Sequence, residues 1–107
     1  MPVFEEETFG PVAAVTRARD RRDLIELANR SRYGLAASIV ARDTEEARRL
    51  AGTLETGAAF VNSMAGYDPR LPMGGRKDSG YGRELGHAGI REFVNTKTLW
   101  IEEEQGI

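Results

Sequence analysis

Residues 35–54 decide the fold: Leu35-Ala36-Ala37-Ser38-Ile39-Val40-Ala41, then Arg42-Asp43-Thr44-Glu45-Glu46-Ala47-Arg48-Arg49-Leu50-Ala51-Gly52-Thr53-Leu54. The first stretch carries no charge and is apolar on both faces, the pattern of a buried strand. Asp43 with Glu46 three residues on makes a capping-box-like helix start. Ala47, Leu50, Ala51 and Leu54 then fall on one helical stripe. Gly57 follows, and Ala58-Ala59-Phe60-Val61 reads as another strand. On the amino-terminal side, Asp20 caps a helix bearing Leu24, Ile25, Leu27 and Ala28. Turn formers between Asn29 and Gly34 end it. Ahead of it, Val12-Ala13-Ala14-Val15 after Gly10-Pro11 is a further buried strand. Strand, helix, strand, helix, strand with short links means crossovers on a parallel sheet. The class is α/β, a small parallel sheet with crossover helices over residues 1–62.

The remainder is less regular. Residues 63–89 form a glycine-rich loop with Gly66, Gly74, Gly75, Gly80 and Gly82. So long a loop is uncommon in a compact domain unless it is functional or packs on something else. Over residues 90–107, Ile90, Phe93 and Val94 predict a short helix, and Thr96 to Ile101 a carboxyl-terminal strand.

Composition narrows the chemistry. The chain has 107 residues, 15 Lys and Arg against 17 Asp and Glu, and a formal charge of −2. That balance argues against nucleic acid and anionic membranes as partners. Hydrophobic residues at 40% and charged ones at 30% describe a globular protein, expected in the cytoplasm, rather than a disordered or membrane chain. With no cysteine and one histidine, no disulfide, thiolate nucleophile or multi-histidine metal site is expected. No catalytic or metal-binding residue is assigned.

Gly80-Tyr81-Gly82-Arg83-Glu84-Leu85-Gly86 is one residue away from the dinucleotide fingerprint and lacks a clear strand before it, so tight turns compete with phosphate binding. Ser79 lacks a nucleophile elbow, and His87 sits eight positions away. His87 reads as a surface or packing residue. Glu5-Glu6-Glu7 is either a solvated acidic run or half of a ligand contact. Glu7 and Phe9, two apart in extended chain, share a side and suit a sugar diol beside a ring.

Collinear motifs carry a resemblance. Glu7-Thr8-Phe9-Gly10-Pro11-Val12 resembles the E-x-F-G-P-V segment of the NAD(P)-dependent aldehyde dehydrogenase family. Leu27-Ala28-Asn29 through Tyr33-Gly34-Leu35-Ala36-Ala37-Ser38, and Phe60-Val61-Asn62, are similar to two further family stretches. Pro72-Met73-Gly74-Gly75-Arg76-Lys77-Asp78-Ser79-Gly80-Tyr81-Gly82-Arg83-Glu84 resembles the family's P-F-G-G-x-K-x-S-G-x-G-R-E. Gly89, Glu92-Phe93 and Lys97 follow at matching places, and the tail most resembles the succinate-semialdehyde members.

The resemblance implies a carboxyl-terminal part of the family's catalytic domain. The family's dinucleotide-binding domain, catalytic cysteine and general-base glutamate have no counterpart here. Glu7 would hold the nicotinamide ribose of NAD or NADP, and Phe9 would pack near the nicotinamide or serve as a core anchor. Tyr67, Arg70 and Leu71 would line the substrate pocket. Arg70 is either a carboxylate clamp or an ordinary surface arginine. Lys77 and Arg83 would make packing or ion-pair contacts. The chain alone would be inactive and would bind no cofactor tightly. Expected partners are a second copy, through the carboxyl-terminal strand, and the family's amino-terminal part. The rival reading is a non-catalytic, self-associating α/β interaction domain.

Overall fold

The computed structural model describes residues 2–103. Two aspartates start its main helices. The Asp20 carboxylate accepts the Asp23 N–H at 2.9 Å and opens α2, Arg21–Asn29; α1 is a single turn, Pro2–Glu5. The Asp43 carboxylate accepts the Glu46 N–H at 2.9 Å and opens α3, Thr44–Ala51. Each satisfies a donor that a first turn leaves without an intrahelical partner. The return half of a capping box is replaced: Glu46 accepts from Arg21 at 2.9 Å and ties α3 to α2.

Short strands lie between these helices. β1 is Tyr33–Gly34, β2 is Ala36–Ile39 and β3 is Ala58–Val61. β2 and β3 run parallel, with Ala36 opposite Ala58 and Ile39 opposite Val61. α3 crosses between them and packs on β3, and Ala47 and Leu54 are buried in the small core. The α/β crossover expected around residues 35–61 is present.

Two expected strands are not formed. Val12 to Val15 has no strand beside it among the described residues, and Val15 is 93% exposed. The parallel sheet therefore has two strands rather than three. Thr96 to Ile101 is likewise unpaired there, with Trp100 85% exposed. Apolar sequence predisposes a chain to extend, but a strand is completed only by a neighbour's ladder. Residues 104–107 of the expected tail lie outside the described residues.

The glycine-rich segment is more ordered than its composition suggests. β4, Arg76–Lys77, pairs antiparallel with β1. Met73 and Glu84 exchange two backbone hydrogen bonds, each 2.8 Å. The short helix comes earlier than expected, as α4 over Gly86–Arg91, leaving Phe93 and Val94 beyond it. Gly89 explains the placement: a Cβ there would lie 2.7 Å from the Glu84 carbonyl carbon, so only glycine lets this turn settle on the preceding chain.

The molecule is elongated, 76 × 33 × 24 Å with a radius of gyration of 20.1 Å; a compact chain of this length has about 13 Å. Its exposed area is 9635 Å², against roughly 5,900 Å² for a compact monomer of this mass.

A local staple ahead of α2 sets a measurable pH dependence. Arg19 donates to the Asp23 carboxylate through its backbone N–H and Nη2, both at 2.9 Å. The side-chain bond, then the backbone one, lowers the Asp23 carboxyl from 3.8 to about 2. A depressed carboxyl stabilises the folded chain above its unfolded value and loses that contribution as pH falls through the folded one. Carbon-detected titration places the Asp23 midpoint near 2, and Arg19→Ala moves it back toward 3.8. A midpoint of 3.8 in the unaltered chain would mean the staple is absent.

Candidate functional site

The carboxyl ends of β2 and β3 face the start of the glycine-rich loop, the usual place for ligands in an α/β sheet. Asn62 turns the chain out of β3 in the left-handed region, φ 52. Met64, Tyr67 and Leu71, with Phe60 and Met73, then line a cavity of about 310 Å³. Its surroundings are apolar apart from Asp68 and Ser63.

Arg70 belongs elsewhere. It lines a second cavity of about 530 Å³ with Leu85, His87, Ile90 and Phe93. Its guanidinium is forked onto the Asp68 carboxylate, Nε to Oδ1 at 2.9 Å and Nη2 to Oδ2 at 2.6 Å, while its backbone N–H donates to the same Oδ1. Those bonds hold the Asp68 carboxyl below its ordinary range and raise Arg70. The three expected wall residues thus divide into Tyr67 with Leu71 on one cavity and Arg70 on another. His87 is an exposed wall residue of that second cavity.

Glu7 and Phe9 are both exposed. Glu7 lines a groove of about 490 Å³ with Phe4, Tyr33, Leu35 and Ser79. Phe9 lies outside that lining and is 91% exposed. The groove also presents Glu5, Glu6 and Asp78. Such carboxylates accept from hydroxyls and repel phosphate.

The Gly80 to Gly86 run follows a turn at Asp78 and Ser79 and bridges back to Met73 through Glu84. Ser79 and Gly80 close onto the Arg76 and Lys77 carbonyls, and the only strand just before them is the antiparallel β4. Arg83 Nη1 donates to the carbonyls of Gly75, Tyr81 and Gly82 at 2.8, 3.0 and 2.8 Å. A phosphate cradle needs converging N–H groups, and here oxygens converge on a cation.

Lys77 acts similarly, as expected of a structural contact. Its Nζ donates to the Asn29 and Ser31 carbonyls at 2.6 and 3.0 Å and pairs with Glu55 at 2.6 Å. An ammonium at these carbonyls completes the end of α2. Asn29 closes the same junction, donating to the Thr53 carbonyl at 2.9 Å and accepting from Glu55 N–H at 2.8 Å. Ser79 Oγ accepts the Gly34 N–H at 3.0 Å. From residue chemistry Asn29 read only as a turn former and Ser79 only as a serine without a nucleophile elbow, and Asn62 carried no role of its own. The usable signal was asparagine at an element's end, where it tolerates left-handed backbone and bonds nearby main chain. Among the described residues, no cluster of three or more His, Cys, Asp or Glu is placed to hold a metal, and no helix is long and apolar enough to cross a membrane.

One βαβ crossover, an ordered glycine-rich strap and a cavity at the strand ends make this an α/β protein of the kind that places ligands beyond its strand ends. Residues 1–99 match the model of the aldehyde dehydrogenase family. The chain belongs to that family. It is 49% identical over 100 residues to the succinate semialdehyde dehydrogenase [NAD(P)+] Sad of Escherichia coli K12, covering 94% of this chain and 22% of that protein. It is 48% identical over 101 residues to succinate-semialdehyde dehydrogenase [NADP(+)] 1 of Mycobacterium ulcerans, with the same coverage of 94% and 22%. Among solved structures, succinic semialdehyde dehydrogenase from Streptococcus pyogenes with NADP+ superposes with a TM-score of 0.89 at 41% identity, over 95% of this chain and 22% of that one. A salicylaldehyde dehydrogenase from Pseudomonas putida G7 with salicylaldehyde gives 0.92 at 39%, over 100% and 22%. The chain spans about a fifth of the length of these relatives.

Proposed function

We propose that this chain supplies the carboxyl-terminal part of the catalytic domain of an NAD(P)-dependent aldehyde dehydrogenase acting on succinate semialdehyde. The 49% identity to a succinate semialdehyde dehydrogenase carries the reading. The excess exposed area supports it, because the described residues bury three hydrophobic side chains and leave wide apolar surface for the rest of a larger domain to cover. In such an enzyme, NAD(P) takes up the hydride that leaves the aldehyde carbon as the acid forms. This chain's share is positioning: Glu7 accepts from the ribose hydroxyls, and Tyr67 and Leu71 shape the aldehyde's apolar surroundings. Phe9 packs near the nicotinamide once the rest of the domain covers it. Arg70 binds a substrate carboxylate only by exchanging Asp68 for it.

Reconstitution tests the proposal. The chain is mixed with a family polypeptide that carries the catalytic cysteine and dinucleotide-binding domain and stops ahead of the E-x-F-G-P segment. NAD(P)H forms from succinate semialdehyde in the mixture, and Glu7→Ala weakens the apparent cofactor affinity about tenfold. No turnover in a mixture that forms a stable complex would overturn it. The exposed Leu99, Trp100 and Ile101 favour a second reading, a non-catalytic domain that self-associates by strand addition. Under that reading, light scattering shows a homo-oligomer that takes up none of the catalytic polypeptide.

A further inference from the structure

At the carboxyl end of the parallel pair, Asn62 performs two actions with one side chain and one backbone dihedral. Its N–H donates to the Ile39 carbonyl at 2.8 Å, the last bond of the β2–β3 ladder. Its Oδ1 accepts the Ala41 N–H at 2.8 Å, so side-chain amide replaces the next main-chain acceptor. Its φ of 52 meanwhile turns the backbone away from the sheet. Asparagine tolerates that region better than most residues, and its short amide reaches neighbouring main chain. The chain leaving this turn carries Met64, Tyr67 and Leu71 onto the 310 Å³ cavity.

We propose that Asn62 is a positioning residue that sets the direction of this cavity wall through two separable contributions, the left-handed turn and the amide acceptor on Ala41. The consequence for aldehyde binding rests on the function proposed above. Asn62→Asp keeps the acceptor and much of the tolerance for positive φ. Asn62→Gly keeps the turn and removes the acceptor. Asn62→Ala removes both.

Amide hydrogen exchange on the full chain reads the two contributions apart. Ala41 exchanges about fivefold faster in the Gly and Ala variants and near its original rate in the Asp variant. Leu71, whose N–H donates to Asp68 within the wall, accelerates in the Ala variant and much less in the Gly variant. Ala47, bonded to Asp43 at the start of α3, is the remote control and stays unchanged. In the reconstituted enzyme, Asn62→Ala raises KM for the aldehyde about tenfold with kcat nearly constant, and Asn62→Asp restores it. Unchanged exchange at Ala41 and Leu71, or equal acceleration at Ala47, would overturn the proposal; so would kcat and KM moving together. If the exchange pattern holds while even the unaltered chain yields no turnover on reconstitution, the positioning role stands and the dehydrogenase reading fails. Should the Ala variant not fold, the contrast between the Asp and Gly variants at Ala41 carries the same decision.

Discussion

Purified alone and mixed with succinate semialdehyde and NAD or NADP, the chain produces no reduced-nicotinamide absorbance above a protein-free blank. It contains no cysteine, and aldehyde oxidation through a thiohemiacetal begins with a thiolate. Removing a catalytic nucleophile can lower kcat by about a million-fold, and only oriented binding groups would remain to oppose that loss. Here even orientation is incomplete, since Phe9 is 91% exposed and nothing packs around its ring. One charge-assisted contact from Glu7 contributes about 1.5–3 kcal/mol, less than the roughly 4–15 kcal/mol lost on association. Calorimetric titration of the isolated chain with NAD therefore gives a Kd weaker than about millimolar. Turnover by the chain alone would refute the assignment of the chemistry to residues outside it. Micromolar binding abolished by Glu7→Ala would show that the groove holds more of the cofactor than its carboxylates allow.

Features whose cause is local were legible in the sequence. Asp20 and Asp43 cap their helices because a short carboxylate before a first turn finds a free N–H within two or three residues. Residues 35–61 were readable as strand, helix, strand because the apolar run and the stripe change period at Asp43. Where the outcome depended on a distant partner, sequence pattern misled. Val12 to Val15 and Thr96 to Ile101 have strand-like sequences, yet neither meets another strand among the described residues. β4 has the opposite history: Arg76 and Lys77 look like loop residues, and pairing with Tyr33 and Gly34 makes them strand. In the site, Tyr67 and Leu71 line one cavity. Arg70 did not, because Asp68 two residues earlier offers both carboxylate oxygens at short range. Charge pairing within one turn outweighed any outward orientation, and only the turn's geometry reveals it.

Gly57→Ala unfolds much of this chain. The glycine precedes β3, and its N–H donates to the Gly34 carbonyl at 2.9 Å, which fixes its place beside β1. A Cβ there would lie 1.7 Å from the Gly74 carbonyl oxygen, 2.6 Å from its carbon and 2.9 Å from the Gly75 Cα, all backbone atoms. No rotamer change relieves such a contact, so the strap of residues 73–76 must move. That strap is held from behind by the paired bonds of Met73 and Glu84 and by Arg83 on the Gly75 carbonyl. Gly57 does not have a positive φ, so alanine's backbone preference adds no penalty and the contact alone is measured. Overpacking against atoms that cannot retreat costs about 3 kcal/mol or more, most of what a core this small supplies. Gly82→Ala, in the same strap with open space at its Cβ and no positive φ, is the matched control. Its effect stays within about 0.5 kcal/mol. Urea unfolding followed by far-ultraviolet circular dichroism separates the two variants, with Gly57→Ala losing most of its folded baseline. Equal midpoints for both would mean the strap and β3 do not meet at Gly57.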